Sequence, residues 1–370
     1  MEMHAREPRV HGEAILFRLY DVGYEIRLEQ AAALLASSAP QRPTPVRGEA
    51  QAIRIPNPPV TVGLGSVELP VGGAVLRAEL SARIFDFGVV SLRARLPLEP
   101  GLAWSDLAAL GAALGSLSSD EPFATWRDRL LDRIHGALDR PGRAPVTEEY
   151  TIFRLSRIER AEGGALAVGD LADEQIAHLL LGESRPLSAT AQKDMVSARF
   201  SYFEDDLTVL TWNAALVVEP LDDEDVQYVL EFANAQLLEL RYSDFVLDDE
   251  LPRIYDEVGA ARRAFHLLGR RFSRLLATLQ TRVADSTESI ERVENSLKVT
   301  DDVFLARIYT TALEIFRGPI WRKGIDRKMG IVRDTYAMLN AESQALRTEV
   351  LEVIIVVLIL LEIVLALWRH

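Results

Sequence analysis

Val350–Leu367 reads VLEVIIVVLILLEIVLAL, and Trp368, Arg369 and His370 follow it. Sixteen of these eighteen residues are apolar; Glu352 and Glu362 are the exceptions. At ~1.5 Å per residue a helix of this length measures about 27 Å, close to the ~30 Å hydrocarbon core of a bilayer. Its Leu, Ile and Val side chains favour insertion by roughly 5 to 9 kcal/mol, and a carboxylate near the centre costs roughly 2.5 to 3.5. Glu352 lies near the entry end and Glu362 about 5 Å past the middle. Trp368 and Arg369 suit an interface as aromatic anchor and snorkelling cation. The stretch is thus expected to be a transmembrane helix, a single-pass tail anchor in membrane lipid, with the large domain cytoplasmic or matrix-facing. A fully buried helix in a soluble oligomer is the competing reading.

Upstream the chain is helical from Pro252. Phe265, Leu268, Phe272, Leu275, Leu279, Val283, Ile290, Val293 and Leu297 keep a three-four spacing, as do Val332, Tyr336, Leu339, Leu346 and Val350 with Ser343 in the gap. This is the seam of a coiled coil or helical hairpin, and the pattern is the same whether helices pack within one chain or between chains. Thr300-Asp301 is expected to restart a helix that Gly318-Pro319 breaks. A stalk over residues 252–348, a membrane helix over 350–368 and a homo-oligomer follow.

The front of the chain mixes strands and helices. Gly12–Tyr20, Val75–Phe85 and Gly88–Leu96 read as strands, the last alternating at Val90, Leu92 and Ala94. Tyr24–Leu35 has helical spacing, Ser105 is placed to cap a helix, and Pro122–Leu138 is amphipathic. Six of the seventeen prolines fall between Ser37 and Val60, marking residues 38–60 as a loop. A second cycle follows. Glu148–Ile158 is a strand, Asp173–Leu181 a helix closed by Gly182, Met195–Phe203 and Leu207–Val218 a hairpin, and Asp222–Leu240 a helix with an acidic first turn. The fold class is α+β: two units of ferredoxin-like order, residues 1–140 and 146–250, sharing one sheet in the simplest arrangement.

Leu351-Glu352, Ile354-Ile355, Leu358-Ile359 and Glu362-Ile363 form a pattern that resembles the C-terminal signature of the "required for meiotic nuclear division" family, a widespread domain of unknown function. Arg333, Leu339 and Asn340 resemble the stretch ahead of that signature, and Ala233–Asp244 (ANAQLLELRYSD) is similar to bacterial relatives. Ala191-Gln192 matches the family's Ala-Gln-Ser run, except that Lys193 replaces the serine. The resemblance implies a terminal membrane helix and, by its mitochondrial relatives, large assemblies that support organelle translation. It implies no catalytic residue.

Composition narrows the chemistry. The chain has 370 residues, 48% hydrophobic, which suffices for a packed core. With no cysteine there is no disulfide, thiolate metal site or thiol nucleophile. The net charge of −14 disfavours general nucleic-acid binding. The start, MEMHAREPRV, lacks the apolar core of a secretory signal. The six histidines are scattered without metal-ligand spacing. Gly63-Leu64-Gly65 with Gly72-Gly73 lacks the Lys-Ser/Thr of a phosphate loop and reads as turn or bulge. Asp222, Asp223, Glu224 and Asp225 suit a helix N-terminus better than a divalent ion. One basic patch stands out: Arg317, Arg322, Lys323, Arg327 and Lys328, with Trp321 among them. Contact with an anionic partner, RNA or a ribosome, competes there with neutralisation by the acidic stretch Glu219–Glu250.

The expectation is a membrane-anchored, non-catalytic assembly or tethering protein with no cofactor or metal. Glu352, Glu362 and Trp368 would serve anchoring and self-association. The alternative is a membrane-attached sensor whose head binds a small molecule or nucleotide.

Overall fold

The computed structural model describes residues 7–37, 57–117, 120–142, 146–182, 185–263 and 302–368. Most of the loop over 38–60 and the seam Phe265–Leu297 lie outside them. The chain divides into two compact units: Met1–Tyr242 with Arg292–Pro319, and Ser243–Glu291 with Ile320–His370.

The first unit begins with β1 (Arg9–Asp21), β2 (Gly23–Ile26), α1 (Leu28–Ser37), β3 (Val60–Val71), β4 (Ala74–Ile84), β5 (Val89–Pro97) and β6 (Leu102–Ala103). Helices α2 (Trp104–Gly115) and α3 (Glu121–Ile134) precede β7 (Leu138–Pro141) and β8 (Thr147–Glu159). Then come α4 (Asp173–Leu181), α5 (Ala189–Met195), β9 (Arg199–Phe200), β10 (Leu207–Leu210) and β11 (Ala214–Val218). The remaining helices are α6 (Asp225–Arg263), α7 (Val303–Ile315) and α8 (Gly318–Trp368).

Among the described residues one nine-stranded mixed sheet runs β3, β4, β5, β1, β8, β11, β10, β9, with β6 against the start of β1. Strands from both expected ferredoxin-like cycles therefore join a single sheet: β1 pairs with β5 on one side and β8 on the other. Only β11 against β8 is parallel. The strands of the two expected units thus lie in one large mixed sheet rather than in two ferredoxin-like sheets, and the reason is hydrogen bonding. Strand β1 is thirteen residues long, and its two edges are satisfied by one strand from each expected unit, β5 and β8.

Alternation sets the two faces. Ala14, Leu16, Leu80, Ala82, Leu92, Ala94, Phe153, Leu155 and Leu216 point to one face, where Leu107, Leu114, Phe123, Leu130, Ile134, Ile176 and Leu179 of α2, α3 and α4 complete a hydrophobic core. Ile15, Phe17, Leu19, Tyr150 and Ile152 point the other way, toward α6. Every residue from Gln227 to Leu240 is buried. Helix α7 closes its outer side: Phe232 and Tyr309 rings lie 6.1 Å apart, and Phe316 reaches Tyr150 at 5.5 Å.

Gly182 ends α4 in the left-handed region at φ 64°. The glycines Gly63 and Gly65 flank a bulge in β3, and Gly72-Gly73 turns β3 into β4. Tyr24–Leu35 instead splits into β2 and α1. Helix α2 is capped by the Ala103 position rather than Ser105, with no side-chain cap bond. Pro252 lies inside α6 instead of starting a helix.

Among the described residues no helix is long and apolar enough to cross a membrane. This overturns the expected transmembrane helix, tail anchor and single-pass localisation. Helix α8 is 51 residues long, but its first two-thirds mix charged and apolar residues. Its apolar end is interrupted by Glu352 and Glu362.

Candidate functional site

The α6-facing side of the sheet carries arginines where the opposite side carries aliphatics. Arg93 and Arg95 alternate with Leu92 and Ala94 on β5, Arg83 follows Ala82 on β4, and Arg154 sits between Phe153 and Leu155 on β8. Cross-strand register puts Ser81, Arg93, Phe17 and Tyr150 on one rung and Arg83, Ser91, Leu19 and Glu148 on the next. Helix α6 and the turn before it lay carboxylates across these rungs.

The result is a line of alternating charges. Arg83 pairs with Glu231; Glu231 lies 3.9 Å from Arg93, which reaches Glu224 at 3.2 Å. Glu224 binds Arg95 at 2.7 Å, Arg95 binds Glu13 at 2.6 Å, and Glu13 binds Arg154 at 3.2 Å. Arg154 ends the line on Asp222, whose backbone is left-handed at φ 62°. Four arginines thus meet four carboxylates with no net charge. The line runs from Arg83, Arg93 and Glu231, 5% exposed or less, to Asp222, which is 72% exposed.

Burial pulls the Arg83 guanidinium below its usual range, and Glu231 opposes that pull. Burial also works against Arg95, yet bonding to Glu13 and Glu224 raises it. Arg83 stacks over the Tyr228 ring at 4.4 Å. Two of Arg93's nitrogens and one Glu231 oxygen make no hydrogen bond, so the pairing is close but incomplete. The physical effect of this line is to fix where α6 lands, because sliding the helix by one residue would bury unpaired charge.

A second polar group lies at the far end of the same helix segment. Asp21, closing β1, meets Glu239 of α6. Glu148 of β8 binds Arg241 of α6. Burial raises Asp21 to about 7, although the Gly23 amide and Glu239 hold it down. Burial likewise raises Glu148 to about 7 against Arg241.

The residues expected to form the site lie elsewhere. Glu352, Glu362 and Trp368 are exposed on α8. Arg317, left-handed at φ 55°, sits over the Trp212 ring. Lys323 and Arg327 are exposed on α8, and Arg322 pairs with Asp326. Lys328 is held by Asp244 and Asp248 at 2.6 and 2.7 Å, so acidic residues of α6 meet its charge. The run Asp222–Asp225 forms no metal cluster among the described residues; Asp222 and Glu224 are engaged by arginines. Sequence reasoning missed the buried arginines. Their alternation with aliphatics was the available signal, and it reads as a solvent face until a helix covers it.

The family described as "Uncharacterized protein MJ0711, N-terminal domain" matches residues 11–224, more than half of the chain. The chain belongs to this family. The matched stretch spans β1 to β11 and stops one residue before α6, so it holds every member of the charge line except Glu231. A protein from Methanocaldococcus jannaschii, "Uncharacterized protein MJ0711", is 27% identical over 244 residues, covering 65% of this chain and 72% of its own. No solved structure matches. Neither name carries an activity.

Proposed function

We propose that this member of the MJ0711 N-terminal domain family is a non-catalytic assembly protein: the α/β head is a rigid platform, and the C-terminal part of α8 joins it to other copies. One observation carries this reading. From Leu351 to Trp368 the described side chains of α8 are about half exposed or more, Ile354 at 48% and Leu367 at 72%. Soluble monomers rarely leave so large a contiguous apolar surface bare, and surfaces of that size mark association sites. The C-terminal resemblance to the "required for meiotic nuclear division" family, whose mitochondrial relatives form large assemblies, supports the same reading. Light scattering of the purified full chain beside a chain ending at Arg347 tests it. The full chain is expected to run as a defined multimer and the shortened chain at the mass of one copy. A monodisperse full-length monomer would overturn the proposal.

A further inference from the structure

The apolar surface on α8 has an internal order. Ile325, Met329, Val332, Tyr336 and Leu339 follow alternating steps of four and three, and four of these five are 3% exposed or less. In this second unit Leu247 and Ile254 of α6 are also buried, and Lys328 ties α8 to α6 through Asp244 and Asp248. Ser343, Leu346 and Val350 hold the next positions in the sequence. The same spacing then runs on through Val353, Val357, Leu360, Val364 and Leu367, which are 54% to 72% exposed. One seam is therefore filled at its start and bare at its end.

We infer that the bare half of this seam is covered by the same segment of further copies of the chain, packed parallel and in register; the inference rests on the assembly reading above. The occupant follows from continuity, since the spacing of a helix seam already in use within the chain carries on in the sequence, with a serine at one position, to its exposed end. The direction follows from side-chain shape. Val357 and Val364 take one seam position and Leu360 and Leu367 the other, with Val353 the exception, and β-branched residues at the first with leucine at the second is the pattern of two-stranded parallel coils. The two carboxylates agree. In the seven-residue count Glu352 takes the third position and Glu362 the sixth, both away from the seam, so neither need be buried on association.

The natural absence of cysteine makes the test direct. Val353→Cys, Leu360→Cys, Leu367→Cys and Glu362→Cys are made singly in the full chain, mildly oxidised and separated without reductant. A disulfide needs Cα atoms within ~4.4–6.8 Å, which facing residues of a parallel seam meet and outer residues do not. All three seam variants are expected to give roughly tenfold more covalent dimer than Glu362→Cys. An antiparallel packing would link at most one of the three. Strong linkage at Glu362→Cys, or weak linkage at the seam in a chain that is multimeric by light scattering, overturns the register and leaves the assembly reading standing. A chain at single-copy mass, with or without lipid or another protein bound, overturns both. These positions are exposed, so the variants are expected to fold like the parent.

Discussion

Asp21 and Glu239 meet carboxyl to carboxyl where the end of β1 runs beneath α6. Both are buried, at 5% and 4% exposure. Two ionised carboxylates can only repel and accept, so the contact is favourable when one of them keeps a proton. Tyr242 stands nearby, its hydroxyl raised by burial and by both acids, and Glu148 with Arg241 completes the surroundings.

Stability is therefore expected to fall as pH rises toward and past neutrality. A group whose folded pKa exceeds its unfolded value stabilises below the unfolded pKa, and that contribution is lost as pH climbs through the folded one. For Asp21 the window runs from its ordinary 3.8 to about 7, and for Glu148 from 4.5 to about 7. Denaturant midpoints at pH ~5 and ~8 measure the loss. Asp21→Asn should shrink it; an unchanged slope would remove Asp21 as its source.

The charge line predicts asymmetric mutant costs. Glu231→Ala strands Arg83 in the interior, leaves Arg93 with Glu224 alone, and should cost ~3–5 kcal/mol in unfolding free energy. Replacing Arg83 and Glu231 together, by Met and Leu, should cost less than the sum of the single changes. Additive costs would mean that the two residues are not coupled.

Gly88 should tolerate no side chain. It sits at φ 92°, and a Cβ there would lie 1.8 Å from the Gly23 carbonyl oxygen, which is fixed by β2. Gly88→Ala is expected to destabilise by at least ~2 kcal/mol, read as a lowered denaturant midpoint. A wild-type midpoint would show that the turn between β4 and β5 moves freely.

Helix α6 also contributes apolar binding to the sheet. Phe232 is buried against Phe85 and Phe87, each ring centre 6.0 Å away. Phe232→Ala should cost ~3–5 kcal/mol, with the loss seen in thermal unfolding of the head.

Glu362 lies on the outer side of the proposed coil, so Glu362→Leu should leave the mass measured by light scattering unchanged. Val357→Asp, on the seam, should reduce it. The reverse pattern would place the glutamate in the contact.

Much of the head was legible because its signals are local. Leu92 and Ala94 mark a strand face by period two, and Gly182 ends a helix because it enters the left-handed region without a Cβ penalty. Strand β3 was hidden, since Gly63, Gly65 and Pro70 punctuate it and prolines crowd the residues before it. The charge line was hidden differently. Arg93 and Arg95 look like a wet face, and Glu231 and Glu239 look like the wet side of an amphipathic helix.

The sequence by itself determined the periods: which residues of β5 share a face, where α4 stops, and that α8 is apolar near its end. The tertiary structure alone decided which faces meet water. Arg93 and Glu224 are 131 positions apart, and no local pattern relates them. A charge can be buried only when its counter-charge arrives from elsewhere in the chain, so the burial of these residues is a property of the assembled head. The same holds for the order of the sheet, because β1 takes one neighbour from each expected unit, β5 and β8.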